Sequence, residues 1–223
     1  MDAAARARSI AHAGSSNVAH SFGKLDARKP ISLGVFGASV AQNAGCLEQP
    51  GKRCMLFNGL NDVDMSWGTP TKRPFKGFAV RLFEHINATW PHSGHRLSNG
   101  GVDKTAAQYQ LDCLMTHVPA VLDLVLLEFG SMARYLSLYA IEGIVRLLAT
   151  MPSRPVLILL SIHSWCLANF VGKAEAETIR VCNKYGFVCL SQKRALQPLV
   201  HAGKLSRELL VGRCGLYFRT CAM

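Results

Sequence analysis

The sequence of 223 residues has no uncharged apolar run close to the roughly 20 residues that a membrane-spanning helix needs. Charged residues make up only 17% of the sequence and aromatic residues only 8%, whereas 49% are hydrophobic. A chain of this composition can bury a substantial core, so neither a disordered chain nor a transmembrane protein is predicted. The length fits one domain with short additional segments.

Paired ligand motifs for a structural metal are also missing. The eight cysteines stand at irregular spacing, without a Cys-x-x-Cys pair or the Cys/His spacing of a zinc site. Asp62 with Asp64, and His92 with His95, come nearest to a ligand set, but each pair lacks supporting ligands nearby. The sequence therefore predicts no metal site and no cofactor, and most cysteines are expected to be small buried residues.

The formal net charge of +11 is concentrated near the two ends of the sequence. Residues 1–30 carry +3 and residues 192–223 carry +5, which leaves +3 for the residues between them. A nucleic-acid-binding domain would collect its cations on one face, interleaved with aromatic side chains. No binding motif of that kind occurs, so two solvated basic ends are predicted and nucleic acid is not an expected partner.

Residues 1–30 are rich in Ala, Ser and Arg, and they are predicted to form a disordered basic segment. They lack the apolar core of a secretory signal, and they resemble an organelle transit peptide only weakly because of Asp2 and Asp26. The segment therefore predicts no compartment. Residues 201–223 are predicted to be an atypical basic tail.

From residue 31 onwards, short apolar runs alternate with longer segments of helical periodicity. The predicted strands are 31–36, 95–98, 123–129, 155–163 and 187–191. The predicted helices are 75–89, 105–117, 137–151, 173–185 and 195–201. This alternation predicts an α/β domain over residues 31–200, a three-layer αβα sandwich around a parallel five-stranded sheet. Ligands bind such sheets beyond the carboxyl ends of the strands.

A serine follows the first predicted strand at this edge, in the turn Gly37-Ala38-Ser39. Gly37 permits a tight turn, and backbone N–H groups at the start of the next helix favour a developing negative charge. This arrangement suits a nucleophile, and it suits an ordinary helix N-cap equally well. The turn alone leaves both roles open.

Four blocks of sequence extend the evidence beyond this turn. They are 33–39 (LGVFGAS); 99–105 (NGGVDKT) with Tyr109 and Cys113-Leu114; 123–129 (DLVLLEF); and 159–163 (LLSIH), followed by Tyr185-Gly186 and Leu190-Ser191. In order and spacing they resemble the SGNH (GDSL-like) hydrolases, particularly the eukaryotic branch of algae and plants. The resemblance implies a flavodoxin-like αβα fold and, in active members, hydrolysis or transfer of acyl groups from esters, often on carbohydrate.

The resemblance also implies roles for individual residues. Ser39 is the nucleophile, and its backbone N–H is one donor of the oxyanion hole. The second-block glycine of active relatives falls on Lys104, which offers only a backbone N–H, and the third-block asparagine falls on Met132, whose thioether cannot donate. Because the loss of one such donor costs about 10²–10³ in rate, impaired activity is expected.

The sequence differs from that family most in the residues expected to supply the general base. Active relatives take it from a late Asp-x-x-His pair, but no carboxylate in this sequence lies three residues before a histidine. His201 is predicted at the opposite edge of the sheet from Ser39. His163 follows the fourth strand at the correct edge, yet in the strand order 2-1-3-4-5 it stands about 10 Å from the first strand. We retain His163 as a candidate substitute base, with an ordinary rim histidine as the alternative.

Three interpretations remain open at this stage. The first is an SGNH-type protein with impaired activity towards acetyl-like esters. The second is a non-catalytic pseudoenzyme that binds a carbohydrate or a partner through the same pocket. The third is a truncated gene product, because the resemblance stops at Val200. An acylated carbohydrate or another ester is the expected substrate.

Overall fold

The computed structural model describes residues 2–14, 18–42, 77–102, 105–130, 137–163 and 168–205. The strands are β1 (Ile10–His12), β2 (Ser32–Gly37), β3 (Arg96–Gly101), β4 (Leu124–Glu128), β5 (Val156–Ser161) and β6 (Val188–Ser191). The helices are α1 (Ala3–Ser9), α2 (Val18–Asp26), α3 (Ser39–Gln42), α4 (Phe78–Thr89), α5 (Ala107–His117), α6 (Leu138–Ala149), α7 (Ala168–Tyr185) and α8 (Gln192–His201).

The strands form one sheet in the order β1-β6-β5-β4-β2-β3. The five strands from β2 to β6 are parallel, and β1 pairs antiparallel with β6. Numbered from β2, the parallel strands follow the order 2-1-3-4-5, so the predicted flavodoxin-like αβα fold is confirmed, with one strand more than predicted. β2 lies between β3 and β4, which places its carboxyl end among those of its neighbours.

Helices cover both faces of this sheet, as the nearly continuous apolar strands predict. Successive residues of a strand point to opposite faces, so Phe36 and Leu127 pack beneath α5, α6 and α7, whereas Val35 and Leu126 pack beneath α2 and α4. All four side chains are buried. Among the described helices, none is long and apolar enough to cross a membrane.

Some elements are longer than the sequence predicts. β3 runs to Gly101 although Asn99, Gly100 and Gly101 are turn-forming residues, because each of them stands in register with a residue of β2. α7 begins at Ala168 rather than at residue 173, and α8 begins at Gln192 rather than at residue 195. Pairing and packing with neighbouring elements thus override the local turn signals.

The start of the chain differs from the disordered segment predicted for residues 1–30. α1 begins at an N-cap, where the Asp2 side chain accepts a hydrogen bond from the Ala5 N–H at 2.6 Å. Its alanine-rich sequence favours a helix, and Ala5 is buried. β1 then pairs with β6, with Ile10 opposite Leu190. A segment without helical periodicity of its own is therefore ordered by the contacts it makes with the domain.

α2 is attached to the edge of the sheet where β4 begins. The Ser21 hydroxyl donates to the Asp123 carbonyl at 2.9 Å, and Lys24 Nζ lies 2.5 Å from Asp123 Oδ1. The other carboxylate oxygen of Asp123 accepts from the Ser32 N–H at 2.8 Å. One mostly buried carboxylate thus joins α2 to the first residue of β2.

Cys182 at the end of α7 and Cys189 in β6 form a disulfide. Both residues are buried, as expected for cysteines in this sequence, but irregular cysteine spacing gives no basis for pairing them. The bridge connects the last turn of α7 to the strand that follows it.

A charged cluster joins the exposed sides of α6 and α7. Glu142 accepts hydrogen bonds from Lys184 at 2.8 Å, from Arg146 at 2.9 Å, and from the Tyr185 hydroxyl. The bonds from Lys184 and Tyr185, with the charges of Lys184 and Arg146, lower the pKa of Glu142 from 4.5 to about 2. The folded state therefore holds this carboxylate in its ionised form more strongly than the unfolded chain does.

This lowered pKa predicts a pH-dependent contribution of Glu142 to stability. The contribution is complete above pH 4.5 and is lost as the pH falls towards 2, because protonation then favours the unfolded chain. The Glu142→Gln variant should be less stable than the wild type at pH 7, and the difference should shrink below pH 4.5. Urea unfolding across this range measures it, with about 0.5 M NaCl as a control that should reduce the difference. A difference independent of pH would contradict the prediction.

Candidate active site

Ser39 lies at the carboxyl edge of the parallel sheet. It is the first residue of α3, two residues beyond the end of β2, and it is half-buried. Gly37 stands in register with Gly101 of β3 and with Glu128 of β4, so the turn that carries Ser39 lies between the ends of two neighbouring strands. This is the position in which an open parallel sheet presents ligand-binding residues.

The turn before Ser39 requires glycine. Gly37 has a φ of +156°, and a Cβ atom added there would lie 2.1 Å from the Glu128 carbonyl oxygen. The Gly37 carbonyl accepts from the Val102 N–H at 3.0 Å, and the Ala38 carbonyl accepts from the Gln42 N–H at 3.0 Å. The backbone on both sides of the serine is therefore closely packed and hydrogen-bonded.

Two carboxamide side chains hold the same turn from β3 and α5. Asn99 Nδ2 donates to the Ala41 carbonyl at 3.0 Å, and its Oδ1 accepts from the Gly101 N–H at 3.0 Å. Gln110 Nε2 donates to the carbonyls of Gly37 at 3.2 Å and Gly100 at 2.9 Å. The turn is thus connected by side chains to two other elements of the domain.

Sequence reasoning missed the place of Gln110. The apolar pattern of α5 assigns Tyr109 to the buried surface of the helix. In the structure 41% of Tyr109 is exposed, whereas Gln110 is only 1% exposed. A signal was available: Gln110 lies three residues after Ala107 and four before Leu114, and both of these are buried. A polar residue at a position that the helical period assigns to the core needs buried hydrogen-bond partners.

His163 lies at the same edge of the sheet as Ser39 but two strands away. It follows β5 by two residues, and the register places Leu160 of β5 beside Glu128, which in turn stands beside Gly37. The backbones of β2 and β5 are separated by about 10 Å at the usual strand spacing. His163 is buried, and its backbone N–H donates to Gln192 Oε1 at 3.0 Å. Its role as a substitute base stays a prediction.

No histidine ring within the described residues makes a hydrogen bond to the Ser39 hydroxyl. His201 ends α8 and is exposed. His95 is engaged elsewhere, since its Nδ1 accepts from the Ile31 N–H at 3.0 Å and its Nε2 lies 2.7 Å from the Trp90 carbonyl. Both nitrogens of His95 therefore serve the fold at the opposite edge of the sheet.

Several residues singled out in the sequence lie outside the described residues. They are Asp62, Asp64, Lys104 and Met132. The assignment of Lys104 to the oxyanion hole and the substitution of Met132 for a donor therefore stay predictions. Among the described residues, no three His, Cys, Asp or Glu side chains are grouped so that they could hold a metal ion.

A second polar cluster lies where β6 ends and α8 begins. The buried Glu175 accepts from the Ser191 hydroxyl at 2.5 Å, and it lies 3.6 Å from Arg194 Nε and 3.9 Å from Lys193 Nζ. Ser191 Oγ also accepts from the Arg194 N–H, which makes Ser191 the N-cap of α8. This cluster, which no sequence motif indicates, fixes the start of α8 against α7.

Solved structures of carbohydrate esterases share this fold. CEX, a two-domain esterase active on acetylated mannans, has a TM-score of 0.66 and 18% identity, over 90% of this chain and 48% of its own. Axe2, an acetylxylan esterase from Geobacillus stearothermophilus, has a TM-score of 0.55 and 12% identity, over 82% of this chain and 91% of its own. No protein-family model and no curated protein matches the sequence.

These likenesses, with the strand order, confirm the predicted SGNH-hydrolase-like fold. At such identities they show the fold alone. The chain spans about half the length of the two-domain esterase, at 48%. The more specific resemblance to the algal and plant branch stays a prediction.

Proposed function

We propose that this protein is an SGNH-type ester hydrolase or acyltransferase that uses Ser39 as its nucleophile towards acetyl-like esters of carbohydrate, at a rate well below that of a complete catalytic site. The observation that carries the proposal is the place of Ser39 at the start of α3, between the ends of β3 and β4. The activities of CEX and Axe2 on acetylated polysaccharides support the choice of substrate class.

The proposed reaction follows from the chemistry of a serine in this position. Ser39 Oγ adds to the ester carbonyl and loses its proton, and the negative charge on the carbonyl oxygen is met by the Ser39 N–H. The alkoxide leaves with a proton, which gives an acyl-serine and a free sugar hydroxyl. Water, or the hydroxyl of an acceptor, then displaces the acyl group and restores Ser39.

The proposed low rate follows from the missing base. A serine hydroxyl is a weak nucleophile unless a neighbouring group accepts its proton. Within the described residues no imidazole bonds Ser39, and His163 lies two strands away. Removing the base from a serine hydrolase leaves the oxyanion hole and substrate binding to supply a residual acceleration of about 10³–10⁴ over water. Turnover on an activated ester is therefore the appropriate measurement.

We expect the wild type to hydrolyse p-nitrophenyl acetate at least about tenfold faster than the Ser39→Ala variant, because only the wild type has the nucleophile. Ser93→Ala is the matched control: Ser93 is exposed near the opposite edge of the sheet, and this variant should keep the wild-type rate. Mass spectrometry should find transient acetylation on the peptide that contains Ser39. Equal rates for wild type and Ser39→Ala would refute the catalytic proposal.

The alternative is a pseudoenzyme that binds an acylated carbohydrate at the same edge without turnover. The absence of an imidazole bonded to Ser39 in the described residues favours it. Calorimetric titration with acetylated manno-oligosaccharides, and with the same sugars after deacetylation, separates the two functions. Acetyl-dependent binding that persists in Ser39→Ala, without turnover by the wild type, would establish the alternative.

A further inference from the structure

We propose that Gln110 is a positioning residue for Ser39: its buried carboxamide sets the conformation of the turn that carries the nucleophile. This inference rests on the proposed function for its catalytic consequence, whereas its structural content can be tested separately. Gln110 lies on α5 and is not among the residues of the four blocks that carry the family resemblance.

The first support is the geometry of the Gln110 amide. Its nitrogen donates both hydrogens to backbone carbonyls, one on Gly37 at 3.2 Å and one on Gly100 at 2.9 Å. Gly37 ends β2, and Gly100 is the last residue but one of β3. One side chain therefore joins the carboxyl ends of two adjacent strands, immediately before the turn to Ser39.

The second support is burial. Gln110 is 1% exposed, so water cannot replace its hydrogen bonds if the side chain is removed. Without Gln110, the Gly37 and Gly100 carbonyls each lose a donor, and the strand ends are expected to shift towards other hydrogen-bond partners. The Gly37 carbonyl also accepts from the Val102 N–H, so a shift at Gly37 would be transmitted to the loop after β3.

The third support is that the turn has little other freedom. The Glu128 carbonyl lies against Gly37 on the side of β4, and Asn99 holds the Ala41 carbonyl on the far side of Ser39. Gln110 completes this set of contacts from α5. Because a displacement of about 1 Å from the reactive geometry can cost 10²-fold in rate, a contact that sets the turn also sets the position of Oγ.

Amide hydrogen exchange by NMR tests the structural part of the proposal. In Gln110→Met, which keeps the length of the side chain and removes both donors, the Val102 and Gln42 N–H groups should exchange at least about tenfold faster. Amides of α6 should change little. Gln108→Met is the matched control, since Gln108 is exposed on the same helix and donates to the exposed Asp112 of that helix. Unchanged exchange at Val102 and Gln42 in Gln110→Met would overturn the proposal.

Covalent labelling with a fluorophosphonate tests the consequence for Ser39. The probe phosphorus bonds to Oγ and fluoride leaves, so intact mass gives the rate without any substrate. We expect the maximal labelling rate of Gln110→Met to fall at least about tenfold, with little change in the half-saturating probe concentration, whereas Gln108→Met should react like the wild type. Labelling of Gln110→Met at the wild-type rate would also overturn the proposal.

A third variant, Gln110→Glu, tests whether a hydrogen bond donated from this position affects Ser39. The carboxyl group that it introduces has no donor when ionised, but when protonated it can donate one hydrogen bond to a strand-end carbonyl. The labelling rate of this variant relative to wild type should therefore rise as the pH is lowered from about 8 to about 5, since burial raises the pKa of a carboxyl group. A ratio that stays constant with pH would contradict positioning through donated hydrogen bonds.

The two proposals fail in different ways. If the wild type is not labelled at Ser39, the catalytic proposal fails, and the exchange experiment alone decides the role of Gln110. If the wild type is labelled and Gln110→Met matches it in both experiments, the catalytic proposal stands and the positioning role is refuted.

Discussion

Replacing Gly37 with alanine is expected to destabilise the fold by about 3 kcal/mol or more and to abolish the proposed reactivity of Ser39. The new methyl group would lie 2.1 Å from the Glu128 carbonyl oxygen and 2.9 Å from Ala41 Cβ, at a φ of +156° that side chains rarely adopt. Relief requires the ends of two adjacent strands, β2 and β4, to separate. Strands at the centre of a sheet cannot move in this way without losing hydrogen bonds to their neighbours.

The same substitution at Gly23 provides the control. Gly23 lies within α2, and a Cβ atom added there would have no neighbour within 4 Å. Gly23→Ala should therefore stabilise the protein by about 0.5–1 kcal/mol through helix propensity alone. Urea unfolding measures both variants, and fluorophosphonate labelling reports on Ser39. If Gly37→Ala were as stable as the wild type, the turn described for Ser39 would be wrong.

Replacing Asp123 with alanine is expected to cost about 3 kcal/mol. The carboxylate is mostly buried, and its removal leaves the Ser32 N–H without its acceptor and the Lys24 ammonium without its partner. Asp112→Ala on α5 is the control, because Asp112 is exposed and accepts from the exposed Gln108 of the same helix. Its expected cost is within about 0.5 kcal/mol.

The Asp123 variant should also have a local effect, since this residue connects α2 to the sheet. Limited proteolysis should cut the first 30 residues of Asp123→Ala faster than those of Asp112→Ala under conditions where both remain folded. Charge-assisted attachment of α2 would be refuted if the two variants were cut at equal rates and had equal free energies of unfolding.

The sequence was sufficient to predict the five parallel strands, but not β1, because apolar runs are the signal for buried parallel strands. The run 123–129 is buried on both faces, and that pattern occurs where helices cover both sides of a parallel sheet. The start of the chain was predicted wrongly for the opposite reason. Its order depends on partners distant in sequence, such as Lys24 with Asp123, which lies 99 residues away. Local composition contains no information about such a pair.

The position of Ser39 was predictable from the sequence, but the polar contacts around the site were not. A serine after the first strand of a parallel sheet must lie at the carboxyl edge, and Ser39 does. The hydrogen bond from Gln110 to Gly37 spans 73 residues, and that from Ser191 to Glu175 joins a strand end to a helix. These polar contacts depend on how α5 and α7 pack against the sheet. A local sequence pattern contains no information about that packing.

The antiparallel strand at the start of the chain has a practical consequence. β1 pairs with β6 along the edge that faces away from β5. α1 lies against α8, with Arg8 Nη2 3.5 Å from the Ala195 carbonyl. A recombinant fragment begun at residue 31, where the motif-bearing sequence starts, would leave the backbone groups of β6 unpaired. Unpaired edges recruit strands from other molecules, so such a fragment would be prone to aggregation and inclusion-body formation. Expression should therefore retain the first 30 residues.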